Sequence, residues 1–348
     1  MISLCVIGRN NQKTIGPCIQ SAKPLVKEII FVDTGSSDST KKIAESLGAN
    51  VYDFKWNDNY GDAKNEAFSK ATQPWILSLD SDETIALRDL QKIKALVSSQ
   101  EYDGYYLVQR NYTNQKGTLS WTSCKDDKYE ESKVAHGYAP RMMVRLFKNN
   151  PKIRAEGVAH DSVIPSIQRI GGKIKETDIP IHHFGSLSHS PEHTAKYIEL
   201  ELKNIKGDFY QEYQIGSQYH SIGKLDEAIE HLVKSLQMNP NFGLTYLEIA
   251  LIGMKRGKIS EARPVLIESI RLDERESAWS ALGVIEVHEK NFDNAVKCFQ
   301  RAIELNPKNA DHHYNLSQVL KELGKPKEAK EEFGRAVYYN PDYKKTND

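Results

Sequence analysis

Short apolar runs alternate with amphipathic stretches through the first part of the chain. Ile2-Ser3-Leu4-Cys5-Val6-Ile7, Glu28-Ile29-Ile30-Phe31-Val32, Asn50-Val51-Tyr52-Asp53-Phe54 and Pro74-Trp75-Ile76-Leu77-Ser78-Leu79 each read as a strand. Helical patterns separate them. The first has Thr14 as N-cap and apolar Ile15, Ile19 and Ala22 on one face; the second runs from Lys41 to Leu47 and stops at Gly48; the third runs from Asp62 to Lys70. The order β-α-β-α-β-α-β predicts a parallel sheet with right-handed crossovers. Such sheets bind ligands at the carboxyl ends of their strands. Arg9, Asp33, Asp80 and Asp82 all fall at those ends, so the fold can bring them together.

The pattern is less regular further on. Asp89 to Val97 reads as a charged amphipathic helix and Tyr105-Tyr106-Leu107-Val108 as a strand. Residues 112–139 are polar and poorly periodic, with Lys125-Asp126-Asp127-Lys128-Tyr129-Glu130-Glu131 in the middle. So long a loop is either functional or a floppy insertion. Arg141 to Phe147 reads as a strand with Arg141, Met143 and Arg145 on one face, and Ile181-His182-His183-Phe184-Gly185 as the strand that closes this half.

The second half repeats itself. Ala228, Ala262, Ala295 and Ala329 recur at spacings of 34, 33 and 34 residues. They sit in similar frames, such as Gly223-Lys224-Leu225-Asp226-Glu227-Ala228 and Gly257-Lys258-Ile259-Ser260-Glu261-Ala262. The blocks end near Asn239-Pro240, Asp273-Glu274, Asn306-Pro307 and Asn340-Pro341. This resembles the tetratricopeptide repeat, a pair of antiparallel helices in about 34 residues. About four repeats are expected over 208–348, with a linker helix over 191–207 joining them to a domain over 1–190. The concave face of such a solenoid binds extended or helical peptides; a spacer or dimerisation role is the bland alternative. No polar capping helix follows the fourth block, so its apolar end is expected to need a second subunit, giving a homodimer through the repeats, or else the chain is a piece of a longer protein.

Composition narrows the class. The 348 residues carry 47 basic and 47 acidic side chains, a formal net charge of zero, which leaves no electrostatic footprint for nucleic acid or an anionic membrane. Cys5, Cys18, Cys124 and Cys298 are scattered without a CxxC pair and read as reduced thiols. No apolar run approaches the roughly 20 residues of a membrane span, and the first strand begins too early for a signal peptide. A cytoplasmic protein is the expectation.

The candidate chemistry centres on Leu79-Asp80-Ser81-Asp82-Glu83, two carboxylates two residues apart at the end of a buried strand. Such charges repel each other unless compensated, and a divalent cation that also holds a diphosphate would resolve the conflict. A turn or a helix cap is the alternative for an isolated Asp-x-Asp.

Four ordered motifs turn the balance. The first strand with Arg9-Asn10, then Ile30 to Thr40, Asp62-Ala63-Lys64-Asn65, and Trp75 to Glu83 together resemble the family 2 glycosyltransferases, which have the GT-A fold. That resemblance, with the repeats, is to bacterial peptide and protein glycosyltransferases. It implies an α/β GT-A domain, Rossmann-like with a mostly parallel sheet, followed by an all-α tetratricopeptide solenoid. It also implies an inverting, metal-dependent transfer of a hexose, Glc or GlcNAc, from a UDP-sugar to a Ser, Thr or Cys side chain of a peptide or protein. A cell-wall polysaccharide or lipid-linked glycan is the alternative acceptor.

The resemblance assigns residues. Arg9, Asp33, Lys64, Asp80 and Asp82 would bind the donor, with Asp33 at the uracil or ribose and Lys64 at the base or the phosphates. The family's usual arginine is Lys64 here, which keeps the charge and loses the planar fork. Asp82 and His183 would hold Mn²⁺ or Mg²⁺. Gly157-Val158-Ala159-His160-Asp161 matches the acceptor-side segment, giving Asp161 as general base and His160 as an orienting neighbour or alternative base. Read without the resemblance, Asp33 and Asp38 are also good caps for the following helix, Lys64 a solvated helix charge, and His160-Asp161 a strand-end turn.

Overall fold

The computed structural model describes residues 1–115, 117–187, 191–205 and 207–346. Among these residues the chain forms two compact units. One comprises 1–112, 129–131 and 140–188; the other comprises 113–128, 132–139 and the residues from 189 onward.

The first unit is a sheet covered on both faces. Strands β1 (Ile2–Gly8), β2 (Glu28–Asp33), β3 (Asn50–Asp53) and β4 (Trp75–Asp80) alternate with helices α1 (Ile15–Ala22), α2 (Thr40–Ser46) and α3 (Tyr60–Lys70). They pair in parallel in the order β3-β2-β1-β4. The alternation of β1 explains its burial. Ile2, Leu4 and Val6 join α1 and α2 in one cluster, whereas Cys5 and Ile7 face Ala63, Ala67 and Phe68 of α3 in another. Thr14 stands at the start of α1, but its side chain does not cap it; Oγ1 donates instead to the carbonyl of Asn11.

Beyond β4 the sheet becomes mixed. The short β5 (Glu83–Thr84) is followed by α4 (Leu90–Leu96), β6 (Gly104–Thr113), β7 (Thr122–Ser123), β8 (Gly137–Lys148), α5 (Ile164–Arg169) and β9 (Ile174–His183). β8 runs antiparallel to β4, and the order continues β8-β6-β9-β5. The apolar run that ends at Asp80 therefore has β1 on one side and β8 on the other.

The second unit is helical. After α6 (Pro191–Lys203) come four pairs: α7 (Phe209–Ser221) with α8 (Leu225–Met238), α9 (Gly243–Lys255) with α10 (Ile259–Leu272), α11 (Glu276–His288) with α12 (Phe292–Leu305), and α13 (Ala310–Glu322) with α14 (Pro326–Tyr339). The recurring alanines 228, 262, 295 and 329 are buried, and the paired helices close on them. A Cβ on Gly216 would meet Leu232 Cγ at 2.7 Å, and one on Gly283 would meet the Phe299 ring at 2.7 Å. These small residues set helix spacing and carry no chemistry.

Of the residues over 112–139, expected to be either a functional loop or a floppy insertion, most of the described ones group with the helices. Trp121 and Tyr343 are buried together with Ala310 and Ala336 of the last repeat. No helix among the described residues is long and apolar enough to cross a membrane.

His312, on α13, is 3% exposed, and neither ring nitrogen has a partner among the described residues. Burial pulls its pKa down from 6.5 to about 3. The unfolded chain therefore takes up this proton first as the pH falls. The contribution to stability is complete above pH 6.5 and is lost towards pH 3, at about 1.4 kcal/mol per pH unit. His312→Leu should remove that slope. Chemical denaturation at pH 7.5, 6 and 5 is expected to show the wild type losing stability to acid faster than the variant by about one proton's worth; parallel profiles would contradict the assignment.

Candidate active site

The parallel register builds the site floor. Gly8 of β1 lies opposite Asp33 of β2, and Ile7 lies opposite Asp80 of β4. The two carboxylates thus emerge on either side of β1 at one level of the sheet. Asp33 is buried. Its Oδ2 accepts from the amides of Gly35 (3.0 Å) and Ser36 (2.8 Å), which shapes the turn after β2. Its Oδ1 is buried with no partner among the described residues. Such an atom costs free energy until a donor arrives, and an N–H of a nucleobase would supply one. It is Asp38, one residue before the N-cap Ser39, that bonds the start of the next helix: its Oδ1 accepts from the Thr40 amide at 2.9 Å. Arg9 is exposed at the end of β1. Its neighbour Asn10 has φ +57° and accepts from the Ser37 amide at 2.8 Å, tying this loop to the one after β2.

Behind the floor lies a buried ionic cluster. Arg145 of β8, only 3% exposed, donates to both Asp80 and Glu83, the latter at 2.9 Å. Lys64 of α3 is also buried and reaches Asp80 Oδ1 at 3.1 Å and Asp161 Oδ1 at 2.9 Å. Burial would push the Asp80 carboxyl up, but Arg145 and then Lys64 hold it well below the usual carboxylate range. For Glu83 burial wins, and its pKa is raised. Lys64 is raised as well: burial opposes its charge, and Asp161 and Asp80 outweigh that. The charges are thus paired, which is what a buried cluster requires.

Asp82 and His183 come together on the other side. His183 closes β9 opposite Glu83, and its Nε2 lies 3.4 Å from Asp82 Oδ2. Its Nδ1 is 2.7 Å from Asn111 Oδ1. If Nδ1 carries the proton towards Asn111, Nε2 presents its lone pair beside the carboxylate, the usual arrangement of a metal-binding histidine. Gly185 keeps the place open, since a Cβ there would meet Asp82 Oδ2 and His183 Nε2, the latter at 2.7 Å. Burial would lower the His183 pKa, yet the Asp82 carboxylate outweighs it and the net shift is upward. Protons and a cation therefore compete for this pair. Among the described residues no group of three or more His, Cys, Asp or Glu could hold an ion by itself. The pair suits an ion whose other ligands come from a diphosphate and water.

Residues 157–161 form a tight loop closed by Glu156 and Ser162, which exchange both backbone hydrogen bonds at 2.9 Å. Gly157 has φ +113°, and a Cβ there would strike the His160 carbonyl at 2.6 Å. The loop docks on the start of α3: the Tyr60 amide donates to the Val158 carbonyl at 2.8 Å, and Asn65 pairs with both backbone groups of Ala155. The Ala63-Lys64-Asn65 motif thereby seats the loop that holds Asp161. His160 is half-buried on that loop. His182, on the opposite face of β9, is fully buried with Nδ1 2.6 Å from the Tyr112 hydroxyl.

A family model described as glycosyl transferase family 2 matches residues 3–153, which include Arg9, Asp33, Lys64, Asp80 and Asp82. The N-terminal part of this chain is a family 2 glycosyltransferase domain. Tetratricopeptide-repeat models match residues 213–242, 283–324 and 310–343. A TPR repeat-containing protein of Synechococcus elongatus is 27% identical over 75% of this chain and 64% of its own length. An uncharacterized glycosyltransferase of Rickettsia felis is 36% identical over 31% of this chain and 38% of its own. The SPbeta prophage-derived glycosyltransferase SunS of Bacillus subtilis is 24% identical over 69% of this chain and 54% of its own. The chain thus spans less than two thirds of these relatives. A crystal structure of MamA covers 44% of this chain and 92% of its own at 19% identity, with a TM-score of 0.39, and so loose a likeness says nothing about function.

Three site residues escaped the sequence reading. Arg145 was legible as one side of a strand, but its partners depend on β8 lying next to β4. Glu83 stood in view as the last residue of Asp80-Ser81-Asp82-Glu83 without an assigned role. Asn111 lies within a strand that was read as ending three residues earlier.

Proposed function

We propose that this glycosyltransferase domain, over 1–190, performs an inverting transfer of a hexose, Glc or GlcNAc, from a UDP-sugar to a Ser, Thr or Cys side chain of a peptide or protein. The segment 191–207, which contains α6, links it to repeats over 208–348 that help hold the acceptor. The reading is carried by the Asp82–His183 pair beside Gly185, on the same strand ends as Asp33 with its unsatisfied Oδ1. A peptide acceptor is suggested by the repeats and by the similarity to SunS. A reducing compartment such as the cytoplasm fits four cysteines that form no disulfide.

Each residue has a role in this reading. Asp33 Oδ1 accepts an N–H of the donor base, and Arg9 offers a cation at the mouth of the site. Asp80 faces the ribose, fixed by Arg145 and Lys64. Asp82 and His183 would hold Mn²⁺ or Mg²⁺, which when bound would neutralise the departing diphosphate. The acceptor oxygen or sulfur forms its bond to the sugar C1 as the C1–O bond to UDP breaks. Asp161 takes the acceptor's proton, and His160 orients the acceptor beside it. Lys64, in contact with Asp161 and Asp80, sets the position of the base relative to the donor.

Candidate peptides incubated with a panel of UDP-sugars and Mn²⁺ should gain one hexose or N-acetylhexosamine mass, lost again with EDTA. Sugar added only to a polysaccharide or lipid-linked glycan would replace the peptide reading.

A further inference from the structure

Glu83 has no part in the reaction as described, yet it is fully buried and both of its oxygens are engaged. Oε2 accepts from the Asp80 amide at 2.8 Å. Oε1 accepts from Arg145 of β8 at 2.9 Å and from the Gln109 side chain of β6. The β4–β8 ladder pairs Trp75 to Leu77 with Lys148 to Leu146 and extends no further among the described residues. Past that point the Asp80 amide finds its acceptor in the Glu83 side chain, which folds back over the turn. The backbone of Glu83 pairs with His183 across β5 and β9, and the Phe184 amide donates to the Asp82 carbonyl at 3.2 Å. The turn over 80–83 is thus held at both ends, by the Glu83 carboxylate at Asp80 and by β9 at Asp82 and Glu83.

A buried carboxylate is costly unless it is fully paired, and one beside Asp80 and Asp82 adds to their repulsion. An apolar residue would fill the space without that cost. What the carboxylate supplies is acceptors for donors that arrive together from β4, β6 and β8. We propose that Glu83 is a positioning residue for the ion site: by tying the Asp80 amide to Arg145 and Gln109 it fixes the turn that aims Asp82 at His183, so that the pair can take a divalent cation shared with the donor diphosphate. This rests on the proposed metal role of Asp82 and His183 and adds the residue that sets their geometry. Both Glu83 oxygens are spent on protein donors, so it acts through the turn. Outer partners of this kind are often nearly as important for metal affinity as the ligands themselves.

Glu83→Gln separates holding from filling. Gln has the same length and fills the same space. Its amide nitrogen is a donor and must face either the Asp80 amide or Arg145, donors both, so one tie is lost. Asp80 keeps Arg145 and Lys64. The loss therefore falls on Asp82 and the ion, not on the nucleotide contacts of Asp33 and Asp80.

The test titrates UDP into the full chain by calorimetry at a series of Mn²⁺ concentrations and in EDTA. The Mn²⁺ concentration that gives half of the gain in UDP affinity should rise at least ~10-fold in Glu83→Gln, while affinity in EDTA stays at the wild-type value. An unchanged Mn²⁺ requirement would overturn the proposal whatever happens to the melting temperature. A merely structural role lowers stability and leaves the ion dependence of the folded molecules alone. A loss of UDP affinity as large in EDTA as with Mn²⁺ would overturn it too, since the whole site would then have collapsed. Should circular dichroism show the variant unfolded, Gln109→Met decides. It removes one donor to Glu83 and leaves the carboxylate paired with Arg145 and the Asp80 amide. The Mn²⁺ requirement should rise there as well, and no shift would overturn the proposal. A wild type whose UDP affinity ignores Mn²⁺ faults the metal role itself, and this proposal with it. A wild type that responds, with variants that respond equally, faults only the part given to Glu83.

Discussion

Asp161→Asn is expected to bind donor as the wild type does and to transfer sugar at least ~100-fold more slowly. The size is that of a lost general base. The geometry makes the substitution clean. Asn keeps the shape of the side chain, and the loop around it is held by Gly157, the Glu156–Ser162 pair and the docking on α3, none of which needs the charge. Lys64 loses one of its two carboxylates but keeps Asp80 at 3.1 Å. The variant should still fold, with a lowered melting temperature because buried Lys64 loses one partner, while turnover collapses at saturating donor and metal. Near-normal turnover would move the base elsewhere, with His160 the first alternative.

A second large effect is expected at the other side of the site. Asp82→Asn and His183→Ala should each reduce transfer about 1000-fold, since stabilising the charge of a leaving diphosphate is worth several kcal/mol. Both lie outside the Arg145–Lys64 cluster, so the fold has little reason to fail. The two substitutions remove one shared interaction, and the double variant should be hardly worse than either alone. Multiplicative losses in a full kinetic cycle, or activity that survives EDTA in the wild type, would contradict a shared metal role.

The parallel part of the sheet was legible because each strand is a short apolar run bounded by turn residues, and because β1 splits its residues between two cores with period two. The repeats were legible for a different reason: a spacing of 33 to 34 residues shows in the sequence whatever its neighbours do. What could not be read is where distant segments meet. The antiparallel placement of β8 beside β4 turns Arg145 into the partner of Asp80 and Glu83. Asn111 meets His183 because β6 and β9 pair in parallel. The bonds from Gly117 to Asp311 and from Ser123 to Tyr339 join residues about 200 positions apart, and no periodicity announces them. Cap assignments failed locally too. Thr14 looked like an N-cap, but its hydroxyl is spent on the Asn11 carbonyl.

The most direct test of the account is a calorimetric titration of UDP into the wild-type chain with Mn²⁺ and with EDTA. If Asp82 and His183 hold the ion as proposed, its remaining ligands must come largely from the diphosphate and water. UDP should therefore bind at least ~10-fold more tightly with Mn²⁺, and Asp82→Asn should abolish the difference. Equal UDP affinity with Mn²⁺ and with EDTA in the wild type would contradict it.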